Sequence, residues 1–587
     1  MKYFFIIVFN ALLFSQSIQI NEVVSSNSSI FYDEDGDTPD WIEIYNTTNE
    51  PINLEGYGLS DDLSEKFKWR FPSVSINAND FLLVLASDKD KDNIIISWDG
   101  EITQGDTWRY FPGTSEPPSD WNTIAFPSIT WSEGPSGFGY GDNDDNTTLS
   151  QIISVYVRKI FTIENVDEIG MMLFNLDFDD GYVAYINGKE FSRRNLGPEN
   201  SNTTYNQTTT GLHEAEIYQG GFPEQIVLDH SQLPLVTGLN VLAIEVHNYS
   251  NSSSDLSCIP FLTIGYTAGY ENMRVPDPRI DLPETHLHTN YKIKSSGEHL
   301  VLSSNNGEIL DSLFTGSIPT DKSKGRTLQS GDWKLFDIPS PGSPNPSVGY
   351  NGFLSPPVFS IKTGFYSNPQ IITLSHSNAE AKIHFTLDGS IPNENSLEYS
   401  SALTVSSNTP FRARSIQNGW MSSSVETETY LFGAKPDIPV ITLNADPRDL
   451  FDTNSGIYAL GPSASASFPY FGVNFWQDWE KPAQFEIIDT NGQNYKANAG
   501  IKIFGGWSRG NAQKSFSLFA RKKYGDSKFE YQIFPNSDVD DYESFILRNS
   551  GNDWEQTMMR DGYINSIIQS TGVDYQQYRP SIGFING

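Results

Sequence analysis

The chain has 587 residues, more than one hydrophobic core can organise, so several domains are expected. Its 38 lysines and arginines against 73 aspartates and glutamates give a net charge of −35, which disfavours nucleic acid and anionic lipid as partners and suits binding of calcium. A share of 13% aromatic residues, with many short β-branched runs, favours a mainly β, multidomain protein. The single cysteine, Cys258, excludes an intrachain disulfide.

The first 17 residues have the pattern of a secretory signal peptide. Lys2 precedes an apolar run over residues 4–14, and Ser15 and Ser17 follow at the spacing that signal peptidases favour. This run is shorter than the about 20 residues that span a bilayer, and no later stretch is apolar enough to cross one. We therefore expect an exported protein, secreted or at the cell surface, without a transmembrane segment. The alternative is a buried N-terminal strand.

The run DEDGDTPD is an acidic turn that contains a glycine. Its four aspartates, Asp33, Asp35, Asp37 and Asp40, place several oxygens in one turn, which suits a hard cation such as Ca²⁺. The run lacks the distal glutamate of an EF-hand loop, so an EF-hand is excluded. A solvated acidic turn without a metal is the alternative.

A β-sandwich is predicted next, because WIEIYN alternates and is followed by the turn NTTNEP and the strand INLEGYGLS. Together with INEV, KWRFP and FLLVLAS, these runs resemble the bacterial lamin-tail domain, an immunoglobulin-like sandwich. The resemblance stops near Lys91 and resumes in HLHTNYKIKSSGEHLVLSS and GDWKLFDIPSPGSPN. We therefore expect one discontinuous sandwich over residues 18–94 and 285–347, interrupted at a loop. Two degenerate tandem copies are the alternative.

The interrupting segment, residues 95–284, is rich in tryptophan and glycine. Its runs DDGYVAYING and NVLAIEVHN resemble the galactose-binding-like jelly rolls of secreted enzymes, which implies sugar binding or a spacer role. Trp108, Trp121 and Trp131 are candidates for stacking on a sugar, but we favour positions in the core.

Residues 355–433 form a further unit of short strands. FTLDGSIP, FRARS and TETYLF resemble the C-terminal domain of the chitobiase and hexosaminidase family. The resemblance implies a small accessory sandwich that takes no part in catalysis.

The basic, glycine-containing stretch GIKIFGGWSRGNAQKSFSLFARKKYG raises the question of a phosphate-binding loop. A P-loop needs lysine directly after its second glycine, but Asn511 follows Gly510, and G-x-G-x-x-G is absent. The stretch instead predicts a strand, a loop and a second strand. Alternation puts Lys514 on the strand face of Phe516 and Leu518. A lysine under a glycine loop is compatible with the phosphate grip of protein kinases, although the spacing does not demand it.

Residues 436–587 resemble the N-terminal half of the spore-coat-protein CotH kinase family, through SRGNAQKSFSLFAR, LRNSGND and RP…FING in that order. The resemblance implies a partial α+β kinase-like segment from a family that transfers phosphate from ATP to serine. It implies a nucleotide site that includes Lys514, with Mg²⁺ in the full-length protein. The basic candidates for phosphate or scaffold roles are Arg509, Arg521, Arg548 and Arg560, for each of which pairing with the acidic surface is the alternative.

The catalytic acids that the family resemblance implies lie downstream of FING, and neither Asp553 nor Asp561 matches them. We therefore expect a fragment of a longer protein that is inactive alone; a degraded kinase is the alternative. Two functions stay open: an exported CotH-type kinase with accessory domains that contact a surface polysaccharide or protein substrate, or a non-catalytic surface adhesin or matrix protein.

Overall fold

The computed structural model describes residues 17–142, 144–267, 269, 273–463, 465 and 467–587. The predicted signal peptide therefore lies outside the described residues except for Ser17. The chain forms two compact units. The first contains residues 1–32, 37–88 and 290–587, and the second contains residues 33–36 and 89–289.

The first unit begins with short strands that run in both directions. The central one, Asp40–Asn46, is covered on both faces, because Trp41 and Glu43 are as buried as Ile42 and Ile44. The strands are β1 (Ile18–Val24), β2 (Asp40–Asn46), β3 (Ile52–Asn53), β4 (Gly58–Ser60), β5 (Trp69–Arg70), β6 (Ser75–Ile76) and β7 (Phe81–Ala86).

The second unit is a sandwich of two sheets. The strands are β8 (Ser97–Ile102), β9 (Thr107–Pro112), β10 (Ser132–Pro135), β11 (Phe138–Tyr140), β12 (Thr147–Thr148), β13 (Ser154–Ile163), β14 (Ile169–Phe178), β15 (Gly181–Ile186), β16 (Lys189–Arg194), β17 (Glu224–Asp229), β18 (Gly238–His247), β19 (Leu256–Tyr266) and β20 (Leu287–His288). One sheet has the order β10-β9-β13-β18-β15-β16, and the other has the order β12-β11-β19-β14-β17 with β8 beside β19.

The core of this second unit lies between its two sheets, where side chains such as Val157, Phe174 and Leu262 are fully buried. The tryptophans are part of the interior: Trp108 belongs to the main core, and Trp121 and Trp131 stack on each other in a smaller cluster. All three are at least nine-tenths buried, so the prediction of core positions is confirmed and they do not form an exposed sugar platform.

The first unit resumes with strands that complete its opening sheets. These are β21 (His299–Ser303), β22 (Ile309–Phe314), β23 (Ser323–Arg326) and β24 (Trp333–Phe336). β23 pairs antiparallel with β1, and β21 with β4, which gives the orders β7-β2-β1-β23-β24 and β22-β21-β4-β5. Early and late segments of this unit thus pair with each other, while the division of the chain into domains stays a prediction.

Residues 355–433 form a small sandwich around four aromatic side chains, Phe359, Phe385, Phe411 and Tyr430. Its main sheet has the order β26-β33-β32-β29-β30, and β25–β28 and β27–β31 are separate pairs. The strands are β25 (Val358–Phe359), β26 (Gly364–Tyr366), β27 (Gln370–Ile372), β28 (Leu374–Ser375), β29 (Lys382–Thr386), β30 (Leu397–Glu398), β31 (Leu403–Val405), β32 (Thr409–Ile416) and β33 (Glu426–Phe432).

The last part of the first unit contains a six-stranded sheet of order β40-β37-β36-β35-β34-β41, in which β34 and β41 are parallel. Its core includes Phe485, Ile501 and Leu518. The elements are β34 (Val440–Ala445), α1 (Pro447–Phe451), β35 (Lys481–Ile488), β36 (Asn494–Phe504), β37 (Ser515–Phe519), β38 (Phe529–Glu530), β39 (Asp541–Tyr542), β40 (Ser544–Leu547), α2 (Arg560–Ile568) and β41 (Ile582–Ile585).

The described part of the chain is thus built mainly of strands, as the composition predicted for a mainly β, multidomain protein. Among the described residues, the helices are too short and too polar for any of them to cross a membrane.

Candidate functional site

A cleft of about 750 Å³ lies at one end of the six-stranded sheet. One wall is the loop between β36 and β37, and the other is the segment after β40. Hairpins present loops of this kind at a sheet edge, where a ligand can approach the backbone. The residues that line the cleft are Phe504, Gly505, Gly506, Trp507, Ser508, Arg509, Ser515, Arg548, Gly551 and Asn552.

The β36–β37 loop is held in place by its own arginine. Gly505 has φ +109°, a conformation that favours glycine, and a Cβ there would lie 2.5 Å from the Ser508 hydroxyl oxygen. Arg509 donates from Nε to the carbonyl oxygen of Gly505 at 2.6 Å and from Nη1 to that of Phe475 at 3.1 Å. These two hydrogen bonds therefore fix the position of its guanidinium group at the cleft wall.

Lys514 lies beneath this loop instead of lining the cleft. Its ammonium group donates to the carbonyl oxygens of Arg509 at 2.6 Å and Asn511 at 3.1 Å, and lies 3.8 Å from the ring centroid of Phe475. Burial lowers the pKa of Lys514 to about 8. The predicted contact with nucleotide phosphates would require the ammonium group to leave both carbonyls.

The structure brings two of the four predicted arginines to the cleft, Arg509 and Arg548. Arg548 is 2.5 Å from the carboxylate of Asp561, and both side chains are 44% exposed, so this pair is weakly held. Arg521 donates to Glu480 at 3.0 Å, and Arg560 pairs with Asp553 at 3.1 Å. Neither Arg521 nor Arg560 lines the cleft, and these contacts match the surface-pairing alternative.

A buried serine–asparagine pair, missed by the sequence reasoning, fixes the opposite wall. The Ser515 hydroxyl donates to Asn549 Oδ1 at 2.9 Å and accepts from the Asn549 backbone N–H at 2.9 Å. Asn549 Oδ1 also accepts from Gly551 N at 2.9 Å. These bonds tie the turn with positive φ at Ser550 and Gly551 to β37. The signal was in LRNSGND, of which only Arg548 and Asp553 had been singled out.

The two acidic residues near the cleft are both engaged elsewhere. The Asp553 carboxylate accepts from the Thr557 hydroxyl at 2.5 Å and from the backbone N–H groups of Met559 and Arg560, bonds that lower its pKa to about 2. The Asp553 carboxylate thus stabilises the N-terminus of α2. Asp561 pairs with Arg548. None of the described lining residues carries a carboxylate, so the cleft does not fit Mg²⁺.

The predicted calcium turn is neutralised by lysines. Lys89 Nζ lies 2.7 Å from Asp33 and 2.6 Å from Asp35, and Lys91 lies 2.9 Å from Asp35. Asp40 lies in β2, where its carboxylate accepts from Asn27 N at 3.2 Å and burial raises its pKa to about 6.

Asp37 is exposed. Like Asp40, it belongs to the first unit. Of the predicted four, Asp33 and Asp35 already have a lysine partner, and the calcium site at this turn stays a prediction.

Three separate segments of the chain match family models, in the predicted order. Residues 15–150 match the Lamin Tail Domain, and residues 361–428 match the Chitobiase/beta-hexosaminidase C-terminal domain. Residues 501–587 match the CotH kinase protein model, and this range contains the whole cleft. This last segment is similar to the CotH kinase family. Three of the four resemblances read from the sequence are thereby confirmed.

No curated protein matches the chain. Among solved structures, a beta-glucuronidase of an uncultured Clostridium sp. is 12% identical and covers 60% of this chain and 46% of its own, with a TM-score of 0.20. A Bacteroides uniformis beta-glucuronidase is 9% identical, covering 59% and 33%, also with a TM-score of 0.20. The chain spans less than half the length of these two structures, and we draw no functional conclusion from them.

Proposed function

We propose that residues 436–587 form the nucleotide-binding part of a CotH-type protein serine kinase. The sandwiches that precede them belong to the same exported protein and contact its surface polysaccharide or protein substrate. The observation that supports this proposal is the position of the cleft, which lies inside the CotH-like segment and has Arg509 and Arg548 on its two walls.

The local charge of the cleft suits a nucleotide triphosphate. A chain with a net charge of −35 repels ATP over most of its surface. The lining residues, by contrast, include two guanidinium groups and no carboxylate. Guanidinium groups bind phosphate oxygens through paired N–H donors. Gly505 and Gly506 leave room for phosphate oxygens near the backbone, and the volume of about 750 Å³ is typical of ligand sites.

ATP binding and phosphoryl transfer have different requirements. Phosphoryl transfer needs carboxylates that hold Mg²⁺ and accept the hydroxyl proton. Asp553 and Asp561 are the acids nearest in sequence, and both are committed to other partners. We therefore expect the 587-residue chain to bind ATP without transferring its phosphate.

Calorimetric titration of ATP into the whole chain tests the proposal. Arg548→Gln removes a half-exposed guanidinium from the cleft and should weaken binding at least about tenfold, the loss typical of one charged hydrogen-bonding group. Arg521→Gln is the matched control, because Arg521 pairs with Glu480 outside the cleft. Absence of ATP binding, or equal loss in the two variants, would refute the proposal.

A non-catalytic surface adhesin is the second candidate, and one observation favours it. The only lysine expected to grip phosphate, Lys514, instead holds the loop carbonyls. Screening the whole chain against immobilised polysaccharides separates the two candidates: glycan binding without ATP binding supports the adhesin.

A further inference from the structure

A second group of aspartates lies in the second unit, in the loop after β11. Asp142, Asp144 and Asp145 each offer a carboxylate oxygen, and these oxygens lie within 4.8 Å of one another. Four of their oxygens are buried without a hydrogen-bond partner: one of Asp142, both of Asp144 and one of Asp145. Buried carboxylate oxygens are costly to leave unpaired, so this arrangement calls for a ligand.

A fourth aspartate, from a different strand connection, is linked to this loop through Ser257 of β19. Asp179 follows β14, is only 4% exposed, and has one oxygen, Oδ2, without a partner. Its other oxygen accepts from Ala215 N at 2.8 Å. Asp179 N donates to the Ser257 carbonyl, and the Ser257 hydroxyl donates to Asp142 Oδ2 at 2.8 Å.

The backbone is shaped to let the loop fold back over the sheet. Gly139 of β11 pairs with Ser257. A Cβ at Gly139 would lie 1.8 Å from the Leu256 carbonyl oxygen and 2.4 Å from Asp145 Oδ1. Only glycine therefore lets the Asp145 carboxylate lie against β11.

Within the described part of the chain, none of these four aspartates forms an ion pair with lysine or arginine. Like charges at this distance repel unless a cation lies between them. Because no described lysine or arginine neutralises these aspartates, the positive charge must come from the solution.

We propose that Asp142, Asp144 and Asp145 bind one calcium ion. Their four unpartnered oxygens supply part of the six to eight that calcium takes, with the remainder left to water or backbone carbonyls. Calcium accepts irregular carboxylate geometry, whereas magnesium demands a regular octahedron. The ion holds the loop after β11 in place and stabilises the sandwich.

Calcium titration into the chelator-treated whole chain, with scanning calorimetry, tests the proposal. We expect one calcium per chain with an affinity of about 10⁻⁴–10⁻³ M, as in extracellular modules, and a rise of several degrees in the melting of the second unit. The double variant Asp144→Asn, Asp145→Asn keeps the side-chain shape and should lose both the heat and the shift. Magnesium at the same concentration should give a smaller shift.

Asp35→Asn is the matched control, because it removes an aspartate of the same unit from the lysine-neutralised turn. It should retain the full calcium response. If the double variant does not fold, the wild-type chain still decides: no heat and no shift at about 5 mM calcium refutes the proposal. A response lost in Asp35→Asn but kept in the double variant would move the site to the acidic turn and equally refute it.

Discussion

The second unit contains two acidic segments that look alike in sequence and differ in their counter-charges. The acidic turn contains Asp33 and Asp35, and the aspartate cluster consists of Asp142, Asp144 and Asp145. Lys89 Nζ lies within 2.7 Å of the Asp33 and Asp35 carboxylates. In the part of the chain that the structure describes, the aspartate cluster has no lysine or arginine partner and contains four unpartnered oxygens.

This difference shows that the spacing of acidic residues in the sequence does not by itself identify a cation site. The lysine that neutralises the acidic turn comes from far along the chain, after β7. The oxygens of the aspartate cluster, by contrast, come from one loop and meet no lysine or arginine among the described residues. A metal site depends on which carboxylates stay unpaired after folding, and this is a property of tertiary structure.

The largest expected effect that separates the two segments is the pH dependence of stability without calcium. Burial, followed by the charge of Asp142, raises the pKa of Asp144 to about 7 and that of Asp145 to about 8. The folded state therefore holds protons that the unfolded chain loses near pH 4, and stability falls as pH rises toward 8. Because both groups are partly exposed, we expect a loss of about 3 kcal/mol between pH 5 and pH 8.

Urea unfolding in a chelating buffer at several pH values measures this loss. Saturating calcium should flatten the profile, because bound calcium replaces the protons. A stability that is constant or rises from pH 5 to pH 8 in chelator contradicts the unpaired state of the cluster.

The next largest effect concerns the stability change caused by removing two of the charges, whose sign should depend on calcium. In chelator at pH 8, Asp144→Asn with Asp145→Asn should stabilise the second unit by about 2 kcal/mol, because it removes like-charge repulsion and buried charge. In saturating calcium the same variant should be less stable than the wild type. Scanning calorimetry detects this as about 4–8 °C in opposite directions. Loss of stability in both buffers would mean that the carboxylates have another partner.

Much of the fold follows from local patterns. Alternating runs and turns predicted the β-rich architecture, and buried tryptophans such as Trp108 were correctly placed in the core. The same alternation places Lys514 with Phe516 and Leu518, which are core residues, so it already indicated that Lys514 points away from the cleft. Ser515, on the opposite face, lines the cleft instead. The contacts of Lys514 with the loop carbonyls follow the strand pattern, and its predicted contact with phosphates stays a prediction.

The rest of the site could not be read from the sequence. Arg509 and Arg521 occur in the same basic stretch, but only Arg509 reaches the cleft, because Arg521 meets Glu480 from before β35. Such contacts depend on strand order, which local patterns do not determine.

A smaller effect is expected from removing the lysine of the acidic turn. Lys89→Met leaves the fully buried Asp33 carboxylate without its ammonium partner and should cost about 1–2 kcal/mol. It should also make the turn weakly responsive to calcium, so that a second calcium heat appears in titration. Lys91→Met is the control: its side chain is 40% exposed, and neither change should follow. A variant with full stability would show that Asp33 does not depend on Lys89.

The smallest effect is expected at Asp35, and it completes the contrast between the two segments. Hydrogen bonds from Lys89 and Lys91 lower the pKa of Asp35, opposite to the shifts in the aspartate cluster. Its contribution to stability is therefore present above the unfolded pKa near 4 and is lost as pH falls below it. Because its side chain is 48% exposed, we expect Asp35→Asn to cost at most about 0.5 kcal/mol at pH 7 and nothing near pH 2. Urea unfolding at both pH values measures this difference. A larger loss at pH 2 than at pH 7 would mean that Asp35 acts by packing instead of by charge. The lysines would then not be what distinguishes the acidic turn from the aspartate cluster.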